Sequence, residues 1–189
     1  NFKDYVNKLK NDKVFFEKEV LEIINKITTN KTDFFRENHH FEYLAKTYFP
    51  KKEKSLSNST IKKIRIWSSA SSTGEEPYSI AIIAEEYFHN KKNFEIKILA
   101  SDIDTNVLET AKNGIYKPDR LDTVSEDFKK KYFSRTNEKN GNFEYEASKI
   151  LKNLIEFKKI NMLEFPYPFK EKFDVIFCRN VIIYFDKPT

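Results

Sequence analysis

The stretch R-I-W-S-S-A-S-S-T-G-E-E-P-Y-S, residues 65–79, decides how the rest of this chain is read. Ile64, Ile66 and Trp67 are β-formers and predict a buried strand behind the basic pair Lys62 and Lys63. Very small residues from Ser68 to Gly74 predict a tight turn. A helix then runs from about Glu76 through Ile80, Ile82 and Ile83 to Phe88. A strand feeding a turn of small residues and then a helix builds a ligand-binding crevice. Small side chains let the backbone approach a ligand, and the helix N-terminus offers unpaired N–H groups with a partial positive charge. A single glycine, Gly74, serves this turn, so serine and alanine must supply the tightness.

The pattern then repeats. F-E-I-K-I-L-A-S at 94–101 predicts a second strand, with Asp102 at its carboxyl end. Val107, Leu108, Ala111 and Ile115 mark a helix closed by Gly114, with Asp104 as its cap. A third strand is expected over 154–161, followed by Met162, and a fourth over 175–179, with Asn180 at its end and residues 181–185 beyond. Alternating strands and helices give an α/β fold with a parallel sheet and right-handed crossovers. Ligands lie at the carboxyl ends of such strands. A carboxylate there accepts two hydroxyl donors at once, which suits a ribose, and Asp102 holds that position. Open sheets of this kind carry about three more strands, so the expectation is a fragment cut shortly after Tyr184.

Upstream, Phe2, Tyr5, Val6 and Leu9 have helical spacing, and Asn11-Asp12 breaks it. A second helix places Phe16, Val20, Ile23, Ile24 and Ile27 on one face for burial. The first helix opens in mid-pattern, as if material preceded it. T-T-N-K-T-D-F-F-R-E-N-H-H at 28–40 reads as a turn and cap before an apolar pair. From the residues alone, Arg36 fits a surface arginine at a helix start. His39 and His40 are adjacent, no further ligands show suitable spacing, and both are read as structural. A short helix over 41–49 turns Phe41, Leu44, Ala45 and Phe49 inward, and a polar linker follows. The domain reading is 1–50 helical, 51–60 linker, and 61–189 catalytic or binding domain. Within the last, 118–151 is highly charged, with Lys129–Lys131, a turn at 137–142 around Gly141, and alternating Phe143 and Tyr145, inside a stretch of about 118–157. That stretch predicts a small antiparallel β insert.

Composition narrows the function classes. The chain of 189 residues carries a net charge of +5, with 14 Lys and Arg against 9 Asp and Glu up to Lys63, and 20 against 20 beyond. A basic first third suggests an acidic partner surface or nucleic acid, or only a solvated lysine-rich face. No apolar run approaches the roughly 20 residues of a membrane span, and no signal peptide is visible, which reads as cytoplasmic without membrane insertion. The single cysteine, Cys178, excludes an internal disulfide and is read as inert core packing.

Four motifs taken in order, D-F-F-R-E-N-H-H-F at 33–41, the small-residue turn at 65–79, A-S-D-I-D at 100–104 and F-D-V-I-F-C-R-N-V-I-I-Y-F at 173–185, resemble the chemotaxis receptor methyltransferases, the CheR family. The resemblance runs from about Lys13 to the last residue, with a looser middle over 116–157. It implies a Rossmann-like class I methyltransferase sheet with a small N-terminal helical domain and an antiparallel β insert. It implies S-adenosylmethionine as cofactor, with S-adenosylhomocysteine as its product, and no metal. By resemblance, Asn30, Thr32, Arg36, Ala70, Glu76, Asp102, Asn161, Met162, Asn180 and Val181 line the cofactor pocket, with Glu75 in reserve for Glu76. The implied reaction methylates glutamate carboxylates of methyl-accepting chemoreceptors. Its partners would be the receptors' cytoplasmic domains and, at the insert where the match is poorest, a receptor C-terminal peptide.

Methyl transfer from a sulfonium asks little of the protein. A glutamate is already ionised near neutrality, so no general base is needed. The site must align carboxylate, methyl and sulfur and exclude water. Arg36 and Tyr184 are the candidates for orienting the carboxylate; Tyr184 fits equally an aromatic residue ending a strand. Two other readings stand beside this one. A module that binds S-adenosylmethionine or S-adenosylhomocysteine without catalysis would signal through the basic helices. An RNA methyltransferase would explain the basic first third, but the sequence shows no aromatic platform or base-reading motif, so nucleic acid is not an expected partner.

Overall fold

A computed structural model describes residues 1–136 and 143–185. The described residues form a four-stranded parallel sheet in the order β6-β2-β1-β7, from β1 (Lys62–Ser68), β2 (Phe94–Asp102), β6 (Ile155–Lys159) and β7 (Val175–Phe177). Ile66 pairs with Ile98 on one side and Val175 on the other, so β1 is enclosed by a strand on each side. Helix α5 (Glu75–Phe88) returns from β1, and α6 (Thr105–Asn113) follows β2. Tyr78, Ile80, Ala81, Ile82 and Ala84 of α5 are wholly buried against Ile64, Ile66 and Ile98 of the sheet. The other sheet face carries Trp67, Leu99 and Ile160 under Met162, Tyr167, Phe169 and Phe173.

Asp104 caps α6 by accepting from the N–H groups of Asn106 and Val107, and Gly114 closes it in the left-handed region. Gly74 has φ 99°, and a Cβ there would meet Ala111 Cβ and Tyr116 Oη at 2.8 Å. The turn before α5 therefore requires glycine at that one position.

The insert is an antiparallel sheet in the order β3-β5-β4: β3 (Ile115–Tyr116), β4 (Phe133–Thr136) and β5 (Glu144–Ala147). It also contains helix α7 (Glu126–Tyr132), so Lys129–Lys131 are helical. Ser125 caps α7, and Tyr132 anchors it by donating to Glu86 at 2.6 Å. The expected turn at 137–142 lies outside the described residues.

Three upstream expectations need correction. Helices α1 (Phe2–Asn11) and α2 (Lys13–Ile27) form as read, but of the α2 face only Ile24 is half-buried; Phe16, Val20, Ile23 and Ile27 are exposed. The reason is attachment at one end, where Asn25 Nδ2 donates to Thr105 Oγ1 at 3.2 Å. The helix expected over 41–49 is composite: α3 (His39–Tyr43), a π-helical turn (Leu44–Tyr48), then α4 (Phe49–Ser55). The polar linker consequently begins as helix, because Phe49 is fully buried, Lys52 pairs with Asp174 at 2.7 Å and Glu53 with Lys91 at 2.6 Å. Cys178 lies one residue beyond β7 and is half-buried, so it is not a core residue. Among the described residues no helix is long and apolar enough to cross a membrane.

Candidate functional site

The carboxyl ends of all four parallel strands and the segment 27–36 surround one cavity of about 390 Å³. Asn30, Thr32, Arg36, Ala70, Glu76, Asp102, Asn161, Met162, Asn180 and Val181 all line it. Tyr184 falls in a 3-10 turn (Ile182–Tyr184), and its side chain lies outside the described residues.

The strand ends are fixed by the sheet itself. Ser69 N–H donates to Phe177 O at 2.9 Å and Ser71 N–H to Ser101 O at 2.8 Å, so the first turn is tied to both neighbouring strands. Asp102 is 8 % exposed. Its Oδ2 accepts from Ser72 N–H at 2.8 Å and its Oδ1 from Asp104 N–H at 3.1 Å. Burial pushes its carboxyl above the usual range, and the surrounding amide groups of Asp104, Ser72 and Ile103 oppose that shift. Each oxygen retains acceptor capacity, because a carboxylate offers about four lone-pair sites.

Glu75 and Glu76 are sequence neighbours with separate environments. Glu76 faces the cavity, accepting from Ser68 Oγ at 2.7 Å and pairing with Arg179 Nη1 at 3.0 Å. Burial raises its pKa, against the pull of Ser68 and Arg179. Glu75 turns away from the cavity to Thr73 and Arg120. The helix start separates them, since adjacent helical side chains diverge by about 100°.

The fifth wall, residues 28–38, is neither helix nor strand. It is not the plain helix start that would leave Arg36 on the surface, because Phe35 and Glu37 adopt left-handed φ of 53° and 55°. Ser72 and Asn180, also on the cavity, do the same at 47° and 54°. Such conformations cost non-glycine residues about 1–3 kcal/mol each and persist where the surroundings over-determine them. Asp104 supplies part of that: beyond capping α6, it accepts from Thr28 Oγ1 at 2.9 Å and Asn30 Nδ2 at 2.8 Å. Asn30 therefore reaches the cavity with its amide already committed. Arg36 is half-buried, and its Nη1 donates to Lys31 O at 2.9 Å.

Sequence reasoning missed Arg179. Its guanidinium joins Glu76, at the start of α5, to Glu37 and the carbonyl of Arg36, which are neighbours in the irregular wall. It holds the Glu37 carboxyl below its ordinary range, with help from Asn180. Among the described residues, Arg179 Nε is buried without a partner. The signal was an arginine closing the apolar run V-I-F-C-R at a strand's carboxyl end, where a charge requires a reason. His39 and His40 start α3 with rings 4.1 Å apart, and among the described residues no group of three or more His, Cys, Asp or Glu side chains is arranged to hold a metal.

A family model described as CheR methyltransferase, SAM binding domain matches residues 30–189. The chain is 44% identical to a chemotaxis protein methyltransferase of Borreliella burgdorferi over 190 residues, all of this chain and 65% of that protein. It is 44% identical to that of Salmonella typhimurium and 40% identical to that of Escherichia coli, each over 170 residues, 88% of this chain and 54% of the relative. The chain thus spans between about half and two thirds of the length of these relatives.

Proposed function

This chain belongs to the CheR methyltransferase family, and from that premise we propose that it carries the S-adenosylmethionine site of a protein-glutamate O-methyltransferase acting on chemoreceptors. The observation that carries the reading is the convergence of ten residues from five chain segments on one cavity. Its donor set suits the group. Asp102, at a strand's carboxyl end with free lone pairs, accepts ribose hydroxyls. Glu76 presents a second buried acceptor. Arg36 and the Arg179 guanidinium bring positive charge to a site that must also hold a carboxylate.

When bound, the cofactor supplies an activated methyl group on a sulfonium. The chain's own task is alignment and exclusion of water. Arg36 orients a carboxylate, either the substrate's or that of the cofactor's methionine part, and Tyr184 donates to the attacking oxygen. A substrate glutamate is ionised near neutrality and attacks without a base. The receptor's cytoplasmic domain is the proposed partner, and the antiparallel insert is the proposed place for a receptor C-terminal peptide, which would extend its sheet. The domain division at 51–60 belongs to the same reading.

The test is methyl-labelled S-adenosylmethionine with chemoreceptor-containing membranes and, separately, total RNA. Base-labile label on receptor protein is expected, as for a carboxyl ester. Label confined to RNA, or cofactor binding with no transfer to any receptor, would overturn the catalytic reading and leave one of its rivals.

A further inference from the structure

The turn that opens the insert, from Tyr116 to Thr123, touches both walls of the cavity without lining it. Tyr116 OH donates to Thr73 O in the first turn at 2.8 Å. Thr123 Oγ1 donates to Phe34 O in the irregular wall at 2.7 Å. Arg120 joins the two walls within one side chain. Its Nη2 donates to Thr32 O at 2.6 Å, and the same nitrogen pairs with Glu75 at the start of α5. Its Nε donates to Glu75 Oε1 at 3.1 Å, and its Nη1 lies 3.6 Å from Asp33 Oδ1.

Glu75 is fully buried, so its charge needs this partner. Thr32 and Glu76 both line the cavity; Arg120 holds the carbonyl of Thr32 itself and the side chain of Glu75, the residue before Glu76. The irregular wall has no ladder of its own; side chains from elsewhere grip its backbone one group at a time. We infer that Arg120 is a positioning residue for the cofactor site: it fastens the Thr32–Arg36 wall to the start of α5 and so sets the cavity's width from inside the insert. The inference rests on the proposed cofactor site.

The rigid guanidinium holds Thr32 O through Nη2 and Glu75 through both Nη2 and Nε; an ammonium can neutralise Glu75 but lacks this fixed fork. Arg120→Lys therefore separates charge from geometry. Binding of S-adenosylhomocysteine is measured by calorimetry on the whole chain, beside the melting temperature without ligand. Arg120→Lys is expected to melt with the wild type yet bind about tenfold more weakly, the scale of one charged hydrogen bond. Wild-type affinity in Arg120→Lys overturns the inference. So does weaker binding that comes with a matching loss of melting temperature, which marks a merely structural residue. If the unaltered chain itself does not bind S-adenosylhomocysteine, the proposed cofactor site fails first, and the wild-type arm reports that separately.

Discussion

The cavity has two kinds of wall. Four strand ends are held by backbone ladders, so Asp102 and the Ser69–Ser72 turn sit where the sheet puts them. The wall at 28–38 has no ladder and is held by five side chains from four stretches of chain: Asp104, Ser72, Arg179, and Arg120 with Thr123. The difference shows that one site can combine a scaffold robust to single substitutions with a scaffold in which each side chain counts.

The sharpest way to break the second wall is Arg179→Ala. The Arg179 and Glu76 side chains are only 12% and 11% exposed. Removing one partner of a buried pair costs about 3–5 kcal/mol, so urea unfolding should shift by that amount; a loss below about 1 kcal/mol would mean that the pair is solvated. Arg36→Ala should instead spare stability, since its described bond is to Lys31 O within the same loop. Turnover on receptor membranes should fall about a hundredfold, the scale of lost alignment. A variant that melts early but still turns over would contradict that placement.

Asp102→Ala probes the ladder-held wall. Cofactor binding should weaken by about 1–3 kcal/mol in a calorimetric titration, and an unchanged dissociation constant would end its ribose role. A smaller effect comes from Thr28→Val, which removes one donor to Asp104. About 1 kcal/mol of stability should go, and pairing it with Asp104→Asn in a double-mutant cycle would reveal whether the two act together.

The smallest effect concerns pH. Burial, then the charges of Arg179 and His39, push the His40 pKa below its ordinary value of 6.5. The fold therefore favours the neutral ring. Its contribution is complete above about pH 6.5 and falls away as the pH drops through the folded value. His40→Gln should flatten the loss of melting temperature on acidification between about pH 6.5 and 5; an unaltered slope would assign that loss elsewhere.

Local chemistry made much of the fold legible. Alternating β-formers, the small turn ending at Gly74 and the Asp104 and Gly114 caps act over a few residues, and each appears where the sequence puts it. Amphipathicity misled at α2, because a periodic apolar stripe says nothing about whether a partner surface is near. Composition misled at 50–59, where one buried phenylalanine and two ion pairs make lysine-rich sequence helical.

The sequence by itself determined the parallel strand–helix alternation and which residues end its strands, because those depend on periodicity and on turns a few residues long. Only the tertiary structure decided that Glu76 rather than Glu75 faces the cavity, that Arg179 ties the Arg36–Glu37 wall to the start of α5, and that 28–38 is a wall and not a helix. Those outcomes rest on hydrogen bonds between groups 40 to more than 140 positions apart, which no local pattern encodes.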